Sequence, residues 1–403
     1  MYPTQEQEKL FHSFVGCSKF VYNYVLRKQK ENYELGNKFI NYFDFKKQFT
    51  QDKKEHPFLL ECSNQTLDGA MRDAFKSYEN FFDKSRKKIS GYPKYRTRHA
   101  KKFYVRYDKL KFGTNLDPVK DKKTISRAIK NMSTDFDITK RVYLERIGWV
   151  KVSEAERFVG ITSFKNPRVK FDGKYWYLTV AVEFSLEQCQ LTDEVLGVDL
   201  GVKELAISSD GRHYANVNKS TKMKKLVKRK KRLQRQSSRK YQAQRGSGTE
   251  VAKGERFKKS KNQCKLEAKI AQLSRTQANM RHTHMCQVVS DLVKTHPRAI
   301  VMEDLNVTGM LKNGKLSRYL QEQTLGAFLK QMAWKCTTRD IEFIQADRFY
   351  PSSKRCNDCG YVNKELRLSD RLFVCPCCGY TKDRDENAAD NLRDYRKLLL
   401  ITA

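Results

Sequence analysis

Three acids stand where phosphodiester chemistry would need them. Asp199 follows the apolar run in VLGVDLG, Glu303 follows RAIVM, and Asp385 lies in TKDRDENAADNLRDY. The first two strings read as short strands carrying an acid at or near the strand end. Gly197 and Gly201 let other groups approach the backbone around Asp199. Side chains alternate along a strand, so Glu303 and the adjacent Asp304 should not share a direction. Glu303 is the candidate, with Asp304 as a structural or supporting acid. Asp383 and Asp385 precede a helix-compatible run with Ala388, Ala389, Leu392 and Tyr395 on one side, and either acid could cap that helix. Each signal alone is weak. A strand-borne aspartate before a glycine turn also occurs in actin-like and sugar-kinase ATPases, and an internal strand ended by a turn gives the Glu303 string without catalysis.

The set says more than its members. Carboxylates held together repel, and a neighbouring polyanion worsens the repulsion. Divalent cations remove that conflict. Two of them, about 3.5–4 Å apart, suit in-line displacement at a phosphodiester. Mg²⁺ fits an all-oxygen site. The expectation is two Mg²⁺ ions held by Asp199, Glu303 and Asp385.

The cysteines give the sharpest local pattern. CNDCG at 356–360 and CPCCG at 375–379 are two CxxCG units with fifteen residues between Cys359 and Cys375. Four thiolates from two tight turns make a tetrahedral, closed and therefore structural zinc site. The aligned units select Cys356, Cys359, Cys375 and Cys378 and leave Cys377 free. A redox CxxC would not need a matched second pair, while an iron–sulfur centre shares the spacing. The other six cysteines are scattered singly, as small core residues in a reducing compartment are.

These groups sit in a chain of 403 residues with 81 Lys+Arg against 46 Asp+Glu, a net charge of +35. Such a surface attracts polyanions, and a lengthy nucleic acid is the first partner to consider. With 23 Phe and 20 Tyr the chain can build real cores, so it is not a disordered chain. No stretch approaches the roughly 20 apolar residues of a membrane span, and the start lacks the pattern of a secretory signal. A cytoplasmic, nucleoid-associated protein is expected. A GxxxxGK[ST] loop is absent, which argues against a P-loop ATPase, and no RRM, KH or helix-turn-helix signature is read.

The elements that must position these groups follow from periodicity. Residues 4–35 carry a helical apolar stripe (Leu10, Phe11, Phe14, Val15, Phe20, Val21, Tyr24, Val25) opened by Thr4 and Gln7 as a capping box. A second helix spans about 64–84. The stretch 84–102 then alternates Lys and Arg with Tyr92 and Tyr95, suited to phosphate contact and base stacking. From 102 to 184 the runs KFYVRY, RVYLERIGWVKV, RFVGITSF and KYWYLTVAVEF read as strands, with a turn at Asp172-Gly173, and predict a small antiparallel sheet or barrel. An α/β domain begins at VLGVDLG. Within it, residues 219–261 hold 18 Lys+Arg and only 2 Glu. This reads as a helical hairpin along a phosphate backbone, broken by the hinge GSGTEVAKG.

In order, GVDLG (197–201), MEDLN (302–306), PSSKRCNDCG (351–360), CPCCG (375–379) and DRDENAADN (383–391) resemble the TnpB (OrfB) proteins of IS200/IS605-type transposons, relatives of compact Cas12 effectors. The segment YPTQEQEKLFHSFVGCSKFVYNYVL (2–26) and SGYPKYR are similar to the family's N-terminal helix and its glycine-aromatic-proline-basic segment. The resemblance implies a small β-barrel wedge with an inserted helical lobe, then a RuvC-like RNase H fold with an inserted zinc ribbon. The implied boundaries are a helical lobe with barrel-edge elements at 1–101 and the wedge at 102–190. The nuclease domain follows at 191–350, with the basic hairpin at 219–285, then the ribbon at 351–380 and the last nuclease part at 381–403. The family's three acids fall on Asp199, Glu303 and Asp385, and its ribbon on the two CxxCG units.

The implied function is RNA-guided cleavage of double-stranded DNA beside a short flanking motif. The guide RNA comes from a transposon end, no membrane is involved, and a monomer is favoured. Two other readings share the basic surface and ribbon: a catalytically silent nucleic-acid-binding regulator of a mobile element, and a guide-independent transposase-like nuclease. The chain starts at MYPT, where relatives often carry a basic strand first, so the expected barrel either lacks that strand or begins differently.

Overall fold

The computed structural model describes residues 1–83, 85, 91–97, 104–114, 138–154, 164–183, 189–246, 259–312, 314, 317–367 and 370–402. They fall into two compact units, Met1–Phe184 and Ser185–Ala403.

The first unit opens with α1 (Gln5–Glu34), α2 (Tyr42–Asp52) and α3 (Asn64–Phe82). The capping box forms as the sequence predicts, Thr4 Oγ1 accepting from the Gln7 N–H at 3.3 Å and Gln7 Oε1 from the Thr4 N–H at 3.1 Å. Gln7 Nε2 also donates to the Ile147 and Trp149 carbonyls, which ties the helix start to a strand turn. The expected stripe is buried at Phe11, Phe14, Val15, Val21, Tyr24 and Val25, whereas Leu10 stays exposed.

The strands of this unit are β1 (Tyr104–Arg106), β2 (Lys111–Thr114), β3 (Ile138–Leu144), β4 (Gly148–Lys151), β5 (Lys165–Phe171) and β6 (Trp176–Ala181). They do not make a barrel. Two separate three-stranded antiparallel sheets form instead, in the orders β1-β5-β6 and β2-β3-β4. Alternation of apolar and charged residues identifies strands but does not say which edges pair, and closure needs an unbroken ladder around the ring. The ladder is also irregular within β5. Pro167 cannot donate to the ladder, Asn166 has a φ of 53°, and the β5–β6 register shifts at this point. Among the described residues, the outer edge of β4 meets only Tyr2, in a single bridge to Lys151. The turn at Asp172-Gly173 forms as expected, with Asp172 Oδ1 accepting from the N–H groups of Lys174 and Tyr175. The expected strand at RFVGITSF lies almost wholly outside the described residues.

The second unit is a mixed α/β layer structure. Its strands are β7 (Val195–Leu200), β8 (Glu204–Ser208), β9 (His213–Ala215), β10 (Ala299–Glu303) and β11 (Glu342–Ala346), ordered β11-β10-β7-β8-β9. The β7–β8–β9 pairs are antiparallel, whereas β7–β10 and β10–β11 are parallel. Between β9 and β10 run α4 (Thr221–Gly246) and α5 (Lys261–Leu292), and between β10 and β11 run α6 (Val307–Met310), α7 (Ser317–Gln323) and α8 (Leu325–Thr337). The short pair β12 (Leu372–Val374) and β13 (Thr381–Asp383) precedes α9 (Arg384–Thr402).

Strand alternation sorts the sheet into two faces. Leu196, Val198, Ile300 and Met302 join Val289, Leu292, Phe328 and Met332 in one core. Val301, Ala346 and Leu392 of α9 make the smaller core opposite. Covered on both sides, β10 is apolar throughout until its terminal Glu303. In the basic pair, Lys230 Nζ of α4 donates to Gln277 Oε1 of α5 at 2.9 Å. Most of the hinge, from residue 247 on, lies outside the described residues.

Candidate carboxylate and cysteine sites

Register places the first two acids side by side. Gly197 pairs with Val301 and Val198 with Met302 in the parallel β7–β10 ladder, so Glu303 comes next to Asp199 on the same face. Helix α9 supplies the third. A Cβ at Gly197 would lie 2.0 Å from the Ala389 carbonyl oxygen and 2.3 Å from the Arg393 nitrogen, so glycine lets the helix backbone rest directly on the strand. From Gly197 two residues forward along β7 reach Asp199. From Ala389 four residues back along α9 reach Asp385. Both steps cover about 6–7 Å, which carries the two carboxylates to the same end of the contact.

The electrostatics report the same proximity. Asp199 is partly exposed yet densely surrounded, and its carboxyl is held well above the usual aspartate range, first by desolvation and then by the charges of Glu303 and Asp385. The three do not yet form a compact ligand set, since among the described residues only the cysteines meet that test. Their oxygens turn to local donors instead. Ser352 Oγ donates to Glu303 Oε1. The guanidinium of Arg384 lies 3.0 Å from Asp385 Oδ1, and that of Arg371 lies 3.7 Å from Asp385 Oδ2.

The neighbouring acids take other roles. Asp383 Oδ1 accepts from the N–H groups of Asp385 and Glu386 at 2.9 and 3.3 Å, so Asp383 is the α9 cap and Asp385 is released from that task. Asp304 pairs with Arg348 at 2.5 Å, a structural contact.

At the cysteines, two equivalent turns face each other. The Gly360 N–H donates to the Cys356 carbonyl and the Gly379 N–H to the Cys375 carbonyl, at 3.1 and 3.0 Å. Both glycines are left-handed, with φ of 76° and 73°. The sulfurs of Cys356 and Cys378 are 3.7 Å apart and those of Cys359 and Cys375 3.5 Å, and all four lie within 4.8 Å of one another. A tetrahedron with Zn–S of about 2.3 Å has edges of about 3.8 Å, so the set fits zinc. Burial opposes the charged form of Cys375, but the N–H groups of Cys378 and Cys377 bring its thiol down to about 7.

The two sites are physically joined through contacts that sequence reading missed. On α9, buried Asn391 donates to the carbonyls of Ser352 and Arg355, and Asn387 donates to that of Arg355 while accepting from the Asn357 N–H. Ser352 thus touches Glu303 through its hydroxyl and α9 through its carbonyl. On the other flank, His213 of β9 lies between Glu204 and Glu386, at 2.9 and 3.2 Å. The spacing of Asn387 and Asn391, four apart on a helix face shared with Arg384 and Asp394, was the one available hint.

Elsewhere, no acid pairs with the α4 cations between Lys222 and Lys240 among the described residues. Of the stretch 84–102, residues 85 and 91–97 are described. There Tyr92 meets Tyr78 and Phe81 edge-on, and both Tyr92 and Tyr95 keep 51 % of their surface exposed. No described helix is long and apolar enough to cross a membrane.

Three family models match in chain order. A helix-turn-helix domain of OrfB_IS605 type covers residues 1–38, the OrfB_IS605 model described as a probable transposase covers 178–314, and the Cas12f1-like TNB domain covers 326–392. The chain belongs to the TnpB (OrfB) family of IS605-type elements, related to Cas12f1 nucleases. The first match was not read from the sequence, and α1 crosses almost all of it as a single helix.

Among TnpB-family relatives, InsQ of Escherichia coli (strain K12) is 29% identical over 408 residues, covering 97% of this chain and 89% of InsQ. A protein of Streptomyces pristinaespiralis is 26% identical over 394 residues, covering 97% and 86%. The names of both propose an RNA-guided DNA endonuclease. Cas12f1 of Sulfoacidibacillus thermotolerans, a CRISPR-associated endodeoxyribonuclease, is 29% identical over 219 residues, covering 54% and 49%. Among solved structures, the mini-RNA-guided endonuclease CRISPR-Cas_phi3 aligns with a TM-score of 0.48 at 13% identity, covering 94% and 89%.

Proposed function

We propose that this chain is an RNA-guided DNA endonuclease that cuts target DNA beside a short flanking motif. The observation that carries the reading is the meeting of Asp199, Glu303 and Asp385 at one sheet margin, in a chain of net charge +35. Residues 191–350 and 381–403 form a RuvC-like nuclease body, and 351–380 form its ribbon. The carboxylates fit Mg²⁺ by donor chemistry, and the raised Asp199 carboxyl is the strain that divalent charge relieves. Two Mg²⁺ ions held by Asp199, Glu303 and Asp385 supply water activation and leaving-group stabilisation when bound.

The chain's own groups do the rest. Ser352 fixes the Glu303 carboxylate, Asp383 and Gly197 fix the helix that presents Asp385, and one structural Zn²⁺ at Cys356, Cys359, Cys375 and Cys378 holds the Ser352 segment in place. The α4 cations draw in phosphate backbones with little discrimination between bases. Sequence choice belongs to pairing between a guide RNA, made from a transposon end, and one DNA strand. The protein works as a monomer in the cytoplasm, next to the nucleoid.

The test begins with purified protein and whatever RNA accompanies it. A discrete copurifying RNA, with Mg²⁺-dependent cutting of matched duplex DNA by that complex, is the expected result. Asp199→Ala and Asp385→Ala abolish cutting and leave RNA binding nearly intact. Normal cutting by both variants overturns the catalytic assignment. RNA binding without cutting by the unaltered complex selects the silent regulator, and cutting without RNA selects the guide-independent nuclease.

A further inference from the structure

Immediately after β11, residues 347–352 make a short strap past the carboxylate margin. Nearly every side chain in it is fastened. The Asp347 N–H donates to the Tyr395 hydroxyl of α9 at 3.2 Å, and Asp347 Oδ1 accepts from the Phe349 N–H at 2.8 Å. Arg348 is held by Asp304. The Tyr350 ring packs on Tyr395 with centroids 4.7 Å apart, and its hydroxyl donates to the Asn391 carbonyl. Ser352 reaches both Glu303 and Asn391.

The exception is Phe349. It is 87 % exposed, more than any other large hydrophobic side chain among the described residues. A single exposed apolar residue needs no explanation by itself. This one stands at the apex of a strap whose neighbours are all tied down, three residues from the serine that touches Glu303. Three residues span at most about 10 Å of chain. The backbone that carries the ring therefore stands within about 10 Å of that of Ser352, beside the carboxylate margin, on a strongly basic protein.

We infer that Phe349 is a stacking platform for an unpaired nucleobase one or two positions from the scissile phosphate, which holds the cut strand in register with the carboxylates. The inference rests on the nuclease reading above. Base-on-aromatic stacking is sequence-tolerant, as a guide-directed enzyme needs, because every base presents a π-face.

The test uses the full chain with its copurifying RNA and a matched DNA duplex whose cut positions have first been mapped on the unaltered protein. Failure of the unaltered complex to cut refutes the nuclease reading and is seen before any variant is made. Phe349→Ala is expected to lower kcat/KM for cleavage by roughly 5- to 150-fold, the range that loss of one stacked base gives. Phe349→Tyr and Phe349→Trp stay within about threefold of the original, while Phe349→Leu resembles the alanine variant, because the π-face is what is used. The thermal midpoint stays unchanged in all four.

The same substrates carry a single abasic site, moved one nucleotide at a time across the cut. The original protein loses rate at one or two abasic positions, and Phe349→Ala no longer responds to those positions. Equal cleavage by Phe349→Ala and the original protein overturns the proposal. So does full activity in Phe349→Leu, or an abasic profile that the alanine substitution leaves intact.

Discussion

Placing one methyl group at residue 197 tests how the carboxylates are brought together. The Gly197 Cα faces the Ala389 carbonyl and the Arg393 N–H, donor and acceptor four residues apart in α9, and an added Cβ would sit 2.0 and 2.3 Å from them. Reaching an ordinary contact of about 3.4 Å from the carbonyl requires a retreat of roughly 1.4 Å, the difference between 3.4 and 2.0. Backbone cannot swing aside as a side-chain tip can, so the whole first turns of α9 must lift from β7. Overpacking of this kind costs about 1–3 kcal/mol. In a body of this size that lowers the thermal midpoint by about 2–12 °C.

The larger effect is on geometry. Asp385 lies one turn before Ala389 and moves with it, and a displacement of about 1 Å at reacting groups can cost on the order of 100-fold in rate. Gly197→Ala is therefore expected to keep RNA binding, lose a few degrees of stability and lose about two decades of cleavage rate. Gly201→Ala is the milder comparison, because its Cβ would stand 3.2 Å from the Glu204 carbonyl oxygen, a tight contact but one that a shift of a few tenths of an ångström relieves. Calorimetric melting and single-turnover cleavage on both variants read the two effects separately. Wild-type melting and cutting by Gly197→Ala would show that α9 is not seated as described.

Three further outcomes are expected. The raised Asp199 carboxyl means that the folded, metal-free protein holds its proton more tightly than the unfolded chain, so this residue's contribution is intact below the ordinary aspartate range and is lost as pH rises through the raised value. Asp199→Asn should flatten that loss and raise metal-free stability at neutral pH, and a pH series of melting curves in EDTA that superimposes on the original would contradict it. Ser352→Ala removes a charge-assisted hydrogen bond to Glu303, worth about 1.5–3 kcal/mol. It should raise the Mg²⁺ concentration for half-maximal cutting by roughly 10-fold or more and weaken Mn²⁺ binding measured by electron paramagnetic resonance, and Ser352→Thr should restore both. Stripping the cysteine site, or replacing Cys356 and Cys359 together, should remove near-stoichiometric zinc by elemental analysis and abolish cutting as well, since Ser352 and Arg355 lose their place on α9. Zinc-free protein that cuts at the normal rate would refute this coupling.

What the sequence disclosed and what it hid divide by the range of the interactions. The cysteine set was legible because each CxxCG turn is local, and the left-handed Gly360 and Gly379 do what glycine there predicts. Strand alternation said that Glu303 and Asp304 face opposite ways, and the β7–β10 register says which of them stands beside Asp199. Asp383 and Asp385 were not separable, because both precede the same helix and only the N–H groups they meet tell a cap from a free carboxylate. Ser352, Asn391 and His213 gave little signal, since, apart from Glu204 beside His213, the carboxylates and carbonyls their side chains meet lie 36 to 173 residues away. The barrel failed for a related reason. Strand periodicity is local, but the pairing of edges is not, and the strands paired as two separate three-stranded sheets.

The seat of α9 on Gly197 also has a consequence for how the protein is made. Strand β7 leaves the ribosome roughly 190 residues before the helix that covers it, a delay of about 10–40 s at about 5–20 residues per second. Throughout that interval the α9 side of the sheet is bare and Asp385 has not been translated. The carboxylate margin is therefore completed only when the last residues of the chain have been made, long after the basic helix α4 has been translated.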